Sequence, residues 1–178
     1  GIHLCDESSK EVTSKCVQKT NPDERVGVFC IENERTTVVE YTDLPPEKAT
    51  EQTADGALSF GAGSIALHLI STEFLQRIAD EIPWHIAHKI VPYINLDSGE
   101  PVHPTEPNAH KYERFVFDVL PLASSSLVAE TNRDEEFAPI KNAEGEDSPS
   151  TSHQLQLNRA TRWLRANSVD VSDDARVE

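Results

Sequence analysis

Arg133 to Ser150 reads RDEEFAPIKNAEGEDSPS, and a single lysine, Lys141, stands in it among carboxylates and turn formers. Seven acids lie from Glu130 to Asp147. A freely solvated loop of that composition repels itself, whereas Pro139 and Gly145 fix turns that a flexible tail would not need. The segment is therefore expected to be an ordered loop. A lone cation placed there has an anion to meet: a neighbouring carboxylate in an ordinary surface ion pair, or a ligand.

Working outward, Ser150 to Ala166 has the apolar spacing of a helix stopped near Asn167, and Leu127 to Thr131 fits a buried strand. Val26 to Ile31 and Thr36 to Tyr41 are rich in β-branched residues and flank a polar connection, Glu32 to Arg35, which predicts a β-ribbon. Leu44 to Thr53 opens with Pro45 and Pro46, suited to a first helical turn. The run LSFGAGSIALHLI from Leu58 predicts a strand feeding a loop. There Gly61 and Gly63 permit either a close backbone approach to a ligand or a ligand-free bend. Ser71 is placed to cap a helix to about Glu81, with Phe74, Leu75 and Ile78 on one face and Pro83 ending it. Ile90 to Ile94 reads as a strand, Asp97 to Gly99 as a turn, and Lys111 to about Leu120 as a helix through Tyr112, Phe115, Val116 and Val119. Residues 168–178 are acidic, without apolar spacing, and are expected to form a linker or tail. The element order gives a mixed α/β domain.

The 178 residues are 37% hydrophobic and 26% charged, enough for one domain with a sizeable core. A net charge of −15 argues against nucleic acid or an anionic membrane as partner. No apolar run has the length of a membrane span and no signal-peptide pattern opens the chain, so a cytoplasmic protein is expected. Cys5, Cys16 and Cys30 lack the spacing of a metal or redox site and are expected to be reduced thiols. His68, His85 and His88 suggest zinc only weakly, because His85 and His88 would share a helical face but no third ligand has diagnostic spacing. Trp84 and Trp163 are expected in the core. No serine or cysteine sits in a nucleophile-elbow pattern, and GAGSIA is too short for a dinucleotide fingerprint, which excludes the hydrolase and dehydrogenase readings.

Five blocks in order resemble one family: KTNPDERVGVF from Lys19, VVEYTDL from Val38, LSFGAGSIALH from Leu58, PTEPNAHKYERFVFDVLP from Pro104, and EEFAPIKNAEG with the following Pro149. They look like the UDP-sugar pyrophosphorylases, the uridylyltransferases that make UDP-N-acetylglucosamine and UDP-glucose, with a flavour closer to bacterial members than to animal or fungal ones. The resemblance runs from about Ile2 to Asn167. It implies a Rossmann-like mixed sheet flanked by helices, glycosyltransferase-A-like, with residues 1–167 forming the latter part of the catalytic nucleotidyltransferase domain. The chain begins at Gly1 and contains no methionine, so it reads as a piece of something longer. The family's glycine-rich phosphate loop and first metal-binding aspartate are expected upstream, and the isolated piece is expected to be inactive.

The implied reaction takes UTP and a sugar 1-phosphate, N-acetylglucosamine 1-phosphate ahead of glucose 1-phosphate, with Mg2+ held mainly by residues outside this segment. Such a transfer aligns two polyanions and neutralises charge at the phosphorus without a protein nucleophile. By resemblance Lys141 is the catalytic cation and Asn142 accompanies it. Gly63 and Ser64 match a family Gly-Asn pair at the nucleotide-sugar, with serine here offering only a shorter hydroxyl. Glu113 matches a glutamate that contacts sugar hydroxyls. Asn108 and Ala109, the latter a glycine in many members, precede the expected helix and would offer backbone N–H groups. Lys89 is a further phosphate candidate. A non-catalytic sugar-nucleotide-binding or scaffold protein keeping the same fold is the alternative of another class. The sequence leaves the oligomeric state open.

Overall fold

The computed structural model describes residues 10–172 and 175–177. Among the described residues there are nine strands: β1 (Val12–Gln18), β2 (Val28–Glu32), β3 (Arg35–Val39), β4 (Ala62–Ile70), β5 (His85–Lys89), β6 (Tyr93–Ile94), β7 (Pro101–Val102), β8 (Ala109–Glu113) and β9 (Ser126–Glu130). The helices are α1 (Pro46–Ala49), α2 (Thr72–Ile78), α3 (Arg133–Glu136) and α4 (Pro149–Ala166), with a 3-10 turn at Val116–Leu122. Five strands form one sheet in the order β3-β2-β4-β1-β9, and β5-β8 and β6-β7 form two-stranded ribbons. The fold is α/β with a mixed sheet and helices. No helix among the described residues is long and apolar enough to cross a membrane. Two compact units divide the chain.

The first unit holds residues up to Thr13, Cys30–Val38 and His68–Leu127. Val12, Phe74, Ile78, Val119, Leu120 and Ala123 are buried in it. Ser71 caps α2 as expected, its hydroxyl accepting from Phe74 N at 3.2 Å, and the helix ends three residues earlier than the sequence suggests. The β2–β3 hairpin forms, but its turn narrows to Asn33 and Glu34, both at positive φ (49° and 63°), as a two-residue turn with right-handed strand twist requires. Glu11 accepts from Ser124 N at 2.7 Å and pairs with Arg77 at 2.7 Å. These bonds hold its carboxyl below the ordinary range.

Three expectations fail in this unit. Lys111 to Glu113 is not helical: Ala109–Glu113 is a strand paired antiparallel with β5 in the register His85↔Glu113, His88↔His110, Lys89↔Ala109. The apolar spacing from Tyr112 to Val119 mimics a helical face, yet only Val119 and Leu120 become buried, in the 3-10 turn. The strand expected at Ile90–Ile94 lies mostly earlier, at β5, leaving only Tyr93–Ile94 as β6. Trp84 is 60% exposed with the Arg114 guanidinium 4.3 Å from its ring, so it packs under a cation and not in the core.

The second unit holds Ser14–Phe29, Val39–Leu67 and Val128–Glu178. Val17, Val26, Val28, Leu44 and Leu157 are buried in it. Helix α4 follows the expected range, started by Pro149 and a capping box between Ser148 and Thr151. Glu135 ties α3 to α4: its carboxylate accepts from Arg162 at 2.8 Å and from Trp163 Nε1 at 2.8 Å. Trp163 is consequently half-exposed and not a core residue. Burial pushes the thiols of Cys16 and Cys30 up, Cys16 further beside Glu130 and Cys30 beside Glu32, so neither is an activated nucleophile. Cys5 lies outside the described residues.

Candidate functional site

The Lys141 loop is built on its own backbone. Asp147 stands at φ 49° and Gly145 at φ 78°, and this turn lets the Asp147 carbonyl accept from both Lys141 N (2.6 Å) and Asn142 N (3.0 Å). The Asn142 side chain donates to the Glu146 carbonyl at 2.8 Å. Lys141 Nζ donates to the Arg25 carbonyl at 2.6 Å, with the Asp147 carboxylate 3.9 Å away. Loop and partners line a cleft of about 640 Å³ in the second unit, with Thr20, Asn21, Arg25, Tyr41 and Arg133.

Three cations, Arg25, Arg133 and Lys141, face four carboxylates there, Asp23, Glu24, Glu146 and Asp147. One pair is already closed. Arg133 meets Glu24 at 2.6 Å, and Glu24 also accepts from Thr20 N at 2.9 Å. Burial pushes the Glu24 carboxyl up, but Arg133 and Thr20 together outweigh it and hold it below the ordinary value of 4.5. Glu40 behaves oppositely: burial and then Asp43 raise it, and Lys141 pulls only part of that back. Lys141 is therefore close enough to act on Glu40, and Arg25 and Lys141 are the cleft cations outside the closed pair. The KTNPDER block carried the cue to this half of the cleft, since Thr20, Asn21, Glu24 and Arg25 all fall in it, yet spacing alone assigns none of them a role. Lys19 in the same block is buried, its ammonium donating to the Pro22 carbonyl at 3.0 Å.

Gly63 lies within β4, opposite Val28. A Cβ there would stand 3.1 Å from the Val17 carbonyl oxygen and 3.1 Å from Val26 Cγ2, so the close approach that demands glycine is between strands. Ser64 N donates to Gly27 O at 2.8 Å, and its hydroxyl accepts from Ala66 N at 3.3 Å where Ala66 takes a positive φ of 56°. The order is the reverse of the expected strand feeding a loop: the turn at Ser59 and Phe60 leads into β4, and the positive φ falls at Ala66 inside that strand, not at Gly61 or Gly63.

Asn108, Ala109 and Glu113 belong to the first unit. Asn108 and Ala109 do not precede a helix, because β8 begins at Ala109, and no helical N–H groups are offered there. Asn108 instead serves the backbone: its Oδ1 accepts from Val91 N at 2.8 Å and its Nδ2 donates to Val91 O at 3.1 Å. Glu113 pairs with Lys111 at 2.6 Å, two residues apart on one face of a strand. Lys89 ends β5 and is exposed. His85 and His88, being three apart on that strand, point to opposite faces and share no helical face. His85 meets Asp118 at 2.6 Å. Among the described residues no three His, Cys, Asp or Glu side chains converge as a metal donor set. These residues do not fit a magnesium site.

Residues 2–170 match the sequence family described as UTP–glucose-1-phosphate uridylyltransferase. The chain is 40% identical over 172 residues to the human UDP-N-acetylhexosamine pyrophosphorylase-like protein 1, covering 93% of this chain and 34% of that one. It is 36% identical over 177 residues to the Saccharomyces cerevisiae UDP-N-acetylglucosamine pyrophosphorylase, covering 94% and 37%. The crystal structure of the Trypanosoma brucei uridine diphosphate N-acetylglucosamine pyrophosphorylase is similar at a TM-score of 0.78 and 31% identity, covering 93% and 33%. These relatives are eukaryotic, and the bacterial leaning finds no match among them. The chain spans about a third of the length of the curated relatives it matches.

Proposed function

Because the chain belongs to the UTP–glucose-1-phosphate uridylyltransferase family, we propose that it is part of a cytoplasmic enzyme that transfers UMP from UTP to a sugar 1-phosphate. N-acetylglucosamine 1-phosphate is the favoured acceptor, and the names of relatives 36–40% identical to the chain support it over glucose 1-phosphate. In the reaction a sugar-phosphate oxygen attacks the α-phosphorus of UTP. A new P–O bond forms as the bond to the β-phosphate breaks, and pyrophosphate leaves.

One observation carries the assignment of roles: an ordered turn aims Lys141 and Asn142 into a cleft that also holds Arg25. In this reading the Lys141 ammonium exchanges its bond to the Arg25 carbonyl for one to a phosphate oxygen. A preorganised cation then meets charge at the transferring phosphorus. Asn142, already fixed through Glu146 O, keeps the turn in register. Gly63 and Ser64 are the proposed nucleotide-sugar contacts. Glu113 is the proposed acceptor for sugar hydroxyls, exchanging Lys111 for them. The divalent ion that the family resemblance implies would be held by residues other than those described. The 178-residue chain by itself is proposed to be inactive.

The internal partners of Lys141 favour the second reading, a non-catalytic sugar-nucleotide-binding protein. Pyrophosphate release decides between them, measured on the longer protein that carries this chain, with UTP and each sugar 1-phosphate. Turnover with N-acetylglucosamine 1-phosphate supports the proposal, and binding of UDP-sugar without turnover supports the second reading. Glu113→Ala should raise KM for the sugar phosphate and leave that for UTP nearly unchanged. If both move together, or neither does, Glu113 is only the partner of Lys111.

A further inference from the structure

His88 and His110 stand directly opposite each other on β5 and β8. Side chains so paired have Cβ atoms about 4.5–5.5 Å apart. Their imidazoles stack at 4.2 Å between centroids with 14° between planes, and both residues are exposed. Among the described residues neither ring has a hydrogen bond or ion pair. Strand alternation puts Trp84, Ile86, Tyr112 and Arg114 on the same face, and Lys89, Lys111 and Glu113 on the other. The face thus offers two imidazoles, aromatic neighbours and no carboxylate.

We propose that this histidine pair is a bidentate site for a borderline divalent transition-metal ion such as Zn2+ or Cu2+. Imidazole nitrogen suits these ions, whereas Mg2+ and Ca2+ seek oxygen ligands that this face lacks. Zn–N bonds of about 2.0–2.1 Å place the two ligating nitrogens roughly 3 Å apart. Rings already 4.2 Å apart reach that spacing by turning about the Cβ–Cγ bond, a soft torsion. Among the described residues no third His, Cys, Asp or Glu converges on the pair, so water or buffer completes the coordination. The ion clips β5 to β8 across the ribbon and stabilises it by mass action. Acidification releases it, because imidazolium does not ligate. The site owes nothing to the proposed uridylyl transfer, and the two stand or fall separately.

Calorimetric titration of the 178-residue chain with Zn2+ tests the site, beside His88→Ala, His110→Ala, the double variant and His103→Ala as control. One Zn2+ should bind per chain. Either single substitution should weaken binding on the order of a hundredfold by abolishing the chelate, with the double variant no worse and the control and Mg2+ without effect. The Cu2+ spectrum of the unaltered chain, by electron paramagnetic resonance, should show two ligating imidazole nitrogens, a readout independent of any variant's folding. Unchanged Zn2+ affinity in His88→Ala, additive effects of the two substitutions, or a one-nitrogen Cu2+ spectrum would overturn the proposal.

Discussion

The Lys141 turn and the β5–β8 ribbon are both exposed, and they are held in opposite ways. The turn is fastened to its own backbone, where Asp147 O takes two amides and Glu146 O takes Asn142, while the Lys141 ammonium reaches out to Arg25 O. The ribbon is fastened across strands, in a five-residue register that joins segments about twenty residues apart, and presents Trp84, Ile86 and Tyr112 each at 60% exposure. A segment stabilised by its own turn chemistry keeps its shape wherever it is placed. A segment stabilised by a distant partner takes its shape from that partner.

The sharpest break of this contrast would come from Arg133→Met. It strips the nearly buried Glu24 of its guanidinium and should cost about 1.5–3 kcal/mol, the scale of a hydrogen bond to a charged group. Denaturant unfolding measures it. Gly145→Ala should cost about 1–2 kcal/mol, because φ 78° is left-handed and nothing crowds the added methyl. A neutral result would mean that the turn is not fixed by its own backbone. On the ribbon, Asn108→Ala removes two exposed hydrogen bonds to Val91 and should cost about 1 kcal/mol, with faster amide exchange at Val91. Smallest is Arg114→Ala, about 0.5–1 kcal/mol for a guanidinium over an exposed indole, seen as a change in Trp84 fluorescence.

Local turn chemistry shows in the sequence, and cross-strand pairing does not. The turn at Gly145, the Ser71 cap on α2, the range of α4 and the β2–β3 hairpin were all readable, since each is decided by residues within a few positions of one another. Strand β8 was not. The spacing from Tyr112 to Val119 satisfies a helical period, and only the pairing of Ala109–Glu113 with His85–Lys89 overrides it. Both tryptophans were misplaced because arginines cover them in place of a core: Arg114, across the ribbon, at Trp84, and Arg159, one turn earlier on the same helix, at Trp163. Of the residues lining the cleft, Lys141 and Asn142 were singled out from the sequence as candidates and Arg25 and Arg133 were not, because the cleft joins segments over a hundred residues apart.

Carboxyl titration by NMR adds a test of sign within the cleft unit. Glu24, held below 4.5, stabilises the fold above that pH and loses its contribution as pH falls through its folded value. Glu40, held above 4.5, does the reverse, its contribution present at lower pH and lost as pH rises through its folded value. Lys141→Ala should raise Glu40 further and leave Glu24 in place. Equal movement of both would show that Lys141 acts on the whole cleft.

Lys141 is proposed as a cation held in readiness for phosphate. Steady-state pyrophosphate release by the longer protein, with and without Lys141→Ala, tests it most directly. Loss of the ammonium should lower kcat by roughly two to three orders of magnitude, the scale for losing one preorganised charge contact at a transition state, in a protein that still folds. An unchanged kcat would contradict it and leave Lys141 as the partner of Arg25 O and Asp147 alone.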